Sequence, residues 1–220
     1  MSTTTLTRLS GLALMAAFAL ALMGGILHPV IGGDSHAAPS LAQPLFSTAH
    51  LLIFLSEVCL LMGLPGLYTR IAPRTGLVGL LGFVLYFFAN ATLASFVSAY
   101  EVFIVPVLAT DSATSTLIAP GGAIPSSAPF AVLQEVGGLV YMLGLVMLGT
   151  AVARSRVMPR WTGVLMATSP IFLLLPIPEA PVLTGLLIEL PRGLAVAGMV
   201  YTLFVSGDEE PTNTREAQLA

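Results

Sequence analysis

The chain has 220 residues, of which 56% are hydrophobic and only 9% charged, with a mean hydropathy of +0.94; a soluble domain carries about 25% charged residues, so a water-exposed globule is excluded. Lysine is absent, all eight basic residues are arginines and the net charge is -3, which rules out a Schiff-base lysine and leaves no basic stripe for nucleic acid. A single cysteine, Cys59, permits neither an internal disulfide nor a CxxC metal or redox motif.

A hydrocarbon core of about 30 Å needs roughly 20 apolar residues per helix. Six stretches approach or exceed that length, at residues 11–28, 49–69, 77–105, 130–153, 161–177 and 182–205, and none alternates apolar with polar residues as a barrel strand would. The expected fold is therefore all-α: one bundle of six transmembrane helices over residues 1–206, followed by a disordered polar tail at 207–220.

In chain order, Arg8 precedes the first span, which ends at His28 and Pro29. The N-terminal apolar run followed by the small-residue string SHAAPS also has the pattern of a secretory signal peptide, and its cleavage would leave five spans and remove His28. An arginine-free loop with Asp34 and His36 follows, His36 being read as solvated. The second span opens with His50 and carries Glu57 about 10 Å deeper. Arg70 and Arg74 lie in the next turn; the third span holds Asn90 and ends with Glu101.

A second arginine-free loop, rich in Gly, Pro, Ser, Ala and Thr, contains Asp111, and the composition of both loops suits lids and plain surface loops alike. The fourth span carries Glu135 about 8 Å from its start. Arg154, Arg156 and Arg160 precede the fifth and shortest span, interrupted by Pro170 and Pro176. After a short loop with Glu179, the sixth span holds Glu189, Pro191 and Arg192; Arg215 is in the tail. Arginines in alternate loops place those loops, and both termini, on the cytoplasmic side of the membrane that the chain would span.

Depth converts this order into chemistry. Every intramembrane ionisable residue falls in the outer half or near mid-depth. His50 and Glu57 are seven residues apart, and Asn90 and Glu101 eleven, spacings that return to nearly the same helix face; Glu189 and Arg192, three apart, can pair along one helix. A central charge costs roughly 2.5–3.5 kcal/mol even on the lenient insertion scale, so four glutamates facing one arginine need protons, a cation or water. The expected site is an outward-opening polar pocket for a proton, a cation or a small polar ligand. His50 and Glu101 would stand at its mouth, with Asn90 on the face of Glu101. Glu57 and Glu135 would be acceptors, and Glu189 with Arg192 a gate at the floor.

Two alternatives stay open. His28 and His50 suit a haem, and His28, His50 and Glu101 a zinc, iron or manganese ion, although no cofactor is required by the sequence and no HExxH motif is present. The polar groups could also be interhelical glue in a non-catalytic scaffold. No nucleotide-binding, serine-hydrolase or kinase motif occurs, so an enzyme is not the favoured reading. An echo between SEVCLLMGL…IAPRTGLVG and QEVGGLVYMLGL…VMPRWTGVLM suggests a parallel repeat; six spans with no clear inverted repeat make a small carrier, which counts against transport unless the chain forms a homo-oligomer.

Three stretches, AHLLIFLSEVCLLMGLPGLYTRIAPRTGLVGLLGF, YEVFIVPVLA and VMPRWTGVL, together resemble six-span inner-membrane proteins of high-GC bacteria that carry no assigned activity. The resemblance implies a six-helix bundle and matches His50, Tyr68, Arg70, Glu101, Pro159, Arg160 and Trp161. It implies no activity, and does not extend to Glu57 or Arg192.

Overall fold

The computed structural model describes residues 3–175 and 177–205. The expected disordered tail at 207–220, with Arg215, lies outside them, as does Pro176. Among the described residues the chain is helical with no strand; the one isolated bridge joins Ile31 to Asp34. The elements are α1 (Thr3–Leu27), α2 (Ala38–Leu41), α3 (Pro44–Thr92), a π-helical stretch (Leu93–Ser98), α4 (Ala99–Phe103), α5 (Val105–Leu108), α6 (Ser112–Ile118), α7 (Ala128–Ser155), α8 (Arg160–Thr168), α9 (Pro170–Leu174) and α10 (Leu183–Val205).

Among the described residues four helical runs are long and apolar enough to cross a membrane: Thr5–Leu27, Pro44–Leu108, Ala128–Ser155 and Leu183–Thr202. The second does not run straight. Gly76 sits at φ 55° and ψ -154°, a backbone region open essentially to glycine alone, and breaks α3 there. Tyr68 and Phe83 stack with ring centroids 4.3 Å apart, whereas fifteen residues along a straight helix span about 22 Å. The run is thus a hairpin whose arms meet along their length. The arginine-bearing turn expected between two spans is helical up to this single residue, because Arg70 and Arg74 keep their place in the first arm.

A Cβ at residue 76 would meet nothing within 4 Å, so the glycine is needed for its dihedrals and not for space. Gly76→Ala is therefore expected to lower stability by about 1–3 kcal/mol, the cost of holding a non-glycine residue in this region, when helix loss is followed during denaturant titration in detergent. An unchanged midpoint would show that the hairpin does not depend on this conformation.

The elements close into a ring. The first arm of α3 packs on α1, α1 on α10, α10 on α8, α8 on α7, and α7 on the second arm of α3. Small residues permit the approach: a Cβ on Gly144 would lie 2.5 Å from the Tyr86 nitrogen, and one on Gly185 would lie 2.1 Å from the Gly25 carbonyl oxygen. The core inside the ring includes Leu14, Leu64, Ile71, Leu148, Met166 and Met199, all on the Gly76 side of the molecule. The fifth expected span is divided into α8 and α9, which together end at Leu174 in place of residue 177.

At the opposite end the two arginine-free segments fold over the ring. Leu41, Phe46, Val105 and Ile118 form a second apolar cluster there. Ser40 ties the first segment together, its hydroxyl accepting from the Ile31 N–H at 2.8 Å and donating to the Asp34 carbonyl at 2.7 Å. Asp111 caps α6 by accepting from the Ala113 N–H. These segments form a packed cap over the bundle.

Candidate functional site

The hairpin decides what can meet. His50 lies 26 residues before Gly76 and Glu101 lies 25 after it, so both stand about 38 Å from the bend, at the far end of arms folded side by side. His50 Nε2 is 3.1 Å from Glu101 Oε2. All three histidines of the chain gather on this carboxylate: His36 Nε2 is 3.6 Å from Glu101 Oε1, and His28 Nε2 is 3.2 Å from His50 Nε2. Pro29 ends α1 just beyond His28 and turns the chain back over the site.

Hydrogen counting constrains this cluster. His50 Nδ1 is 3.0 Å from the Phe46 carbonyl oxygen, which can only accept, so Nδ1 carries a hydrogen. A neutral His50 ring then has no hydrogen left on Nε2, yet Nε2 faces a carboxylate oxygen and a second imidazole. His28 repeats the pattern, with Nδ1 3.2 Å from the Pro29 carbonyl. With two neutral rings and an ionised carboxylate, neither the His28–His50 contact nor the His50–Glu101 contact has a hydrogen. One additional proton on His50 Nε2 faces both acceptors, His28 Nε2 and Glu101 Oε2. His50 is only 3% exposed, so water does not readily supply it.

His36 was expected to be a solvated loop residue. Its side chain is exposed, but it faces Glu101, and its Nδ1 lies 2.9 Å from the Ser35 hydroxyl. The Glu101 carboxylate holds the His36 imidazole above its ordinary pKa, Glu179 and Asp34 adding to the effect and desolvation opposing it.

A deeper group lies about two turns below, Glu57 following His50 by seven residues on α3. Ser98, brought round by the π-helical stretch, donates from its hydroxyl to Glu57 Oε2 at 3.0 Å. Arg192 donates to Glu189 and to the Tyr141 hydroxyl, and its guanidinium lies 6.0 Å from the centroid of the Tyr141 ring. The arginine thus ties α10 to α7 through a phenol, not through a second glutamate. A void of about 20 Å³, room for one water, is lined by Ser56, Glu57, Glu189 and Arg192 with apolar neighbours. Glu189 also lines a larger cavity of about 200 Å³ that reaches up to His28, His36 and Glu179. The two groups are connected through that one carboxylate, and beneath Arg192 the apolar core begins.

The remaining expected residues stand apart. Asn90 is buried and its amide donates to the Tyr86 carbonyl one turn earlier, at 2.6 Å. The π-helical stretch between Asn90 and Glu101 adds a residue to the turn, so their eleven-residue spacing no longer repeats one face. Glu135 is exposed and lines a third cavity, of about 320 Å³, with Glu101 and His36. Ser98, Tyr141 and His36 gave no advance signal, since hydroxyls and a loop imidazole are common and reveal their partners only through tertiary folding.

Among the described residues no group of three or more His, Cys, Asp or Glu side chains is disposed to hold a metal ion. The facing atoms of His28, His50 and Glu101 are engaged with one another. A haem between His28 and His50 does not fit either: axial nitrogens stand about 4 Å apart with the macrocycle between them, twice a metal–imidazole bond, whereas these lie 3.2 Å apart in direct contact. No family model, curated protein or solved structure matches the chain, so its functional assignment rests on this geometry.

Proposed function

We propose that the chain is a six-span bacterial inner-membrane protein, with both ends cytoplasmic, that binds a proton or small cation in a polar pocket opening outward. The observation that carries this reading is the hydrogen deficit among His28, His50 and Glu101. A group of buried acceptors that lacks one hydrogen is a site for one proton. The span count is supported by Gly76, which divides the 65-residue run into two arms each long enough to cross, and by α8 with α9 as a short further crossing. Orientation follows from the arginines, which cluster near Gly76 and between α7 and α8. Kinship with the six-span proteins of high-GC bacteria belongs to the same reading.

The route inward is the Glu189-lined pair of cavities. Glu57, whose contact is a neutral hydroxyl, is the next acceptor along it, while Glu189 is neutralised by Arg192. The apolar core fills the end of the bundle opposite the cap, so in this reading access is from the capped, outer end. The protein is a binding or translocating module in this reading.

The test is a histidine titration by NMR of the detergent-solubilised chain. Because Glu101 raises the His36 pKa, their pairing stabilises the fold below the ordinary value of 6.5 and is lost as pH rises through the folded value. Glu101→Gln is expected to move the His36 midpoint down toward 6.5 and to reduce the protons bound near neutrality. Identical titration of all three rings in the two proteins would remove the basis of the proposal.

A further inference from the structure

The largest of the three cavities extends beyond the proton-binding group, with which it shares Glu101. It measures about 320 Å³ and lies between the cap and the outer ends of α4 and α7. Its volume is within the range of small-molecule sites and, at about 30 Å³ per water-sized group, suits a ligand of roughly ten non-hydrogen atoms. Two features of its wall are unusual together. Glu101 and Glu135 both line it, with His36 as the one basic side chain of the lining. The rest is mainly apolar and aromatic, with Phe46, Tyr100 and Phe130 contributing rings.

The aromatic wall is ordered. Tyr100 and Phe130 meet edge to face with centroids 5.2 Å apart, which fixes both rings. The Tyr100 hydroxyl is buried without a hydrogen-bond partner among the described residues. The surrounding charge has one sign: Asp34 accepts from the His36 N–H, Glu179 accepts from the Ser35 N–H, and Asp111 caps α6. Every arginine before residue 192 lies at the other end of the helices or in the turns there.

Each class of occupant meets this wall differently. An anion would face two carboxylates. A bare metal ion would leave most of the volume unfilled and has no clustered ligand set. A sugar would find few polar partners among apolar residues. An organic cation with an apolar body satisfies all of it: the charge lies beside Glu101 and Glu135, and the body lies against the rings, where a cation also gains from the aromatic faces.

We propose that this cavity binds a small organic cation, an amine or quaternary ammonium compound of about ten non-hydrogen atoms carrying an apolar group. The proposal rests on the outward-opening reading above and names the class of ligand that the opening admits. Glu101 belongs to both groups, so the cation and the shared proton would influence one another through that carboxylate.

Calorimetric titration of the full chain in detergent tests this with benzyltrimethylammonium, whose charge is permanent, against phenylacetate of similar size. Saturable binding of the cation and none of the anion is expected. Glu135→Gln, which removes a carboxylate from the cavity wall, is expected to weaken cation binding about tenfold. Tyr100→Ala, which removes the ring but no charge, is expected to weaken it also. Absence of saturable cation binding, equal binding of phenylacetate, or unaltered affinity in both variants would overturn the assignment. Because the histidine titration is read separately, loss of the cation site and loss of the proton site are distinguishable.

Discussion

Arg192→Leu is expected to destabilise the protein by about 3–5 kcal/mol, the range for removing one partner of a buried ion pair. The guanidinium is 17% exposed and the Glu189 carboxylate 12%, so both charges are largely withdrawn from bulk water. Its loss leaves Glu189 as an unpaired charge above an apolar core and strips the Tyr141 hydroxyl of its donor. The double variant Glu189→Leu/Arg192→Leu removes both charges, so the remaining penalty is the orphaned phenol, about 1–3 kcal/mol. The double variant should therefore be more stable than the single one. Arg192→Lys should fall between wild type and Arg192→Leu, because a single ammonium does not reproduce a fork that serves a carboxylate and a phenol at once. Denaturant titration in detergent, followed by helicity, gives all three values. A cost below about 1 kcal/mol for Arg192→Leu, or a double variant weaker than the single, would mean that water reaches this depth and that Arg192 does not hold α10 to α7 through Tyr141.

Much of this architecture was legible in the residues because the membrane imposes simple rules. Length and hydropathy gave the helices, and the arginines marked one end of the bundle. The pairing of His50 with the third helical segment followed from height alone, since His50 and Glu101 stand at equal distances from the turn that joins their arms. Less accessible was the phase of the second arm. Nothing in LASFVS announces a π-helical turn, yet that turn places Ser98 on Glu57 and separates Asn90 from the face of Glu101. Phase arguments assume an uninterrupted 3.6-residue period, and one added residue defeats them.

The expectation of one convergent pocket gives way to three adjoining spaces, for a related reason. Sequence supplies depth but not azimuth around the ring. Glu57 and Glu135 lie at similar heights, but Glu57 stands on the first arm of α3 beside α1, and Glu135 on α7, whose neighbours are the second arm and α8. His36 shows the limit for loops. Its partner is set by the packing of the cap, through Ser40, Asp34 and the small helices, and no local periodicity encodes that.

Gly185→Leu should be the most damaging packing change, with a loss near or above the upper end of the 1–3 kcal/mol typical of overpacking. The reason is that the obstruction is backbone. A Cβ at residue 185 would stand 2.1 Å from the Gly25 carbonyl oxygen and 2.7 Å from its Cα, and neither atom can rotate away as a side-chain tip would. Helices α1 and α10 must separate. Glu189 follows Gly185 by one turn on α10, and Gly25 precedes His28 by three residues on α1, so the same displacement spreads the cavity that links the outer cluster to Glu57. Gly138→Leu is the matched control, since a Cβ there meets nothing within 4 Å and leucine favours helix more than glycine does. Its stability should stay within about 0.5 kcal/mol of wild type or rise slightly. The functional consequence separates the two further: the histidine titration should shift in Gly185→Leu and stay unchanged in Gly138→Leu. Equal tolerance of leucine at both positions would show that α1 and α10 do not cross at this glycine pair, and would remove the packing that holds His28 against His50.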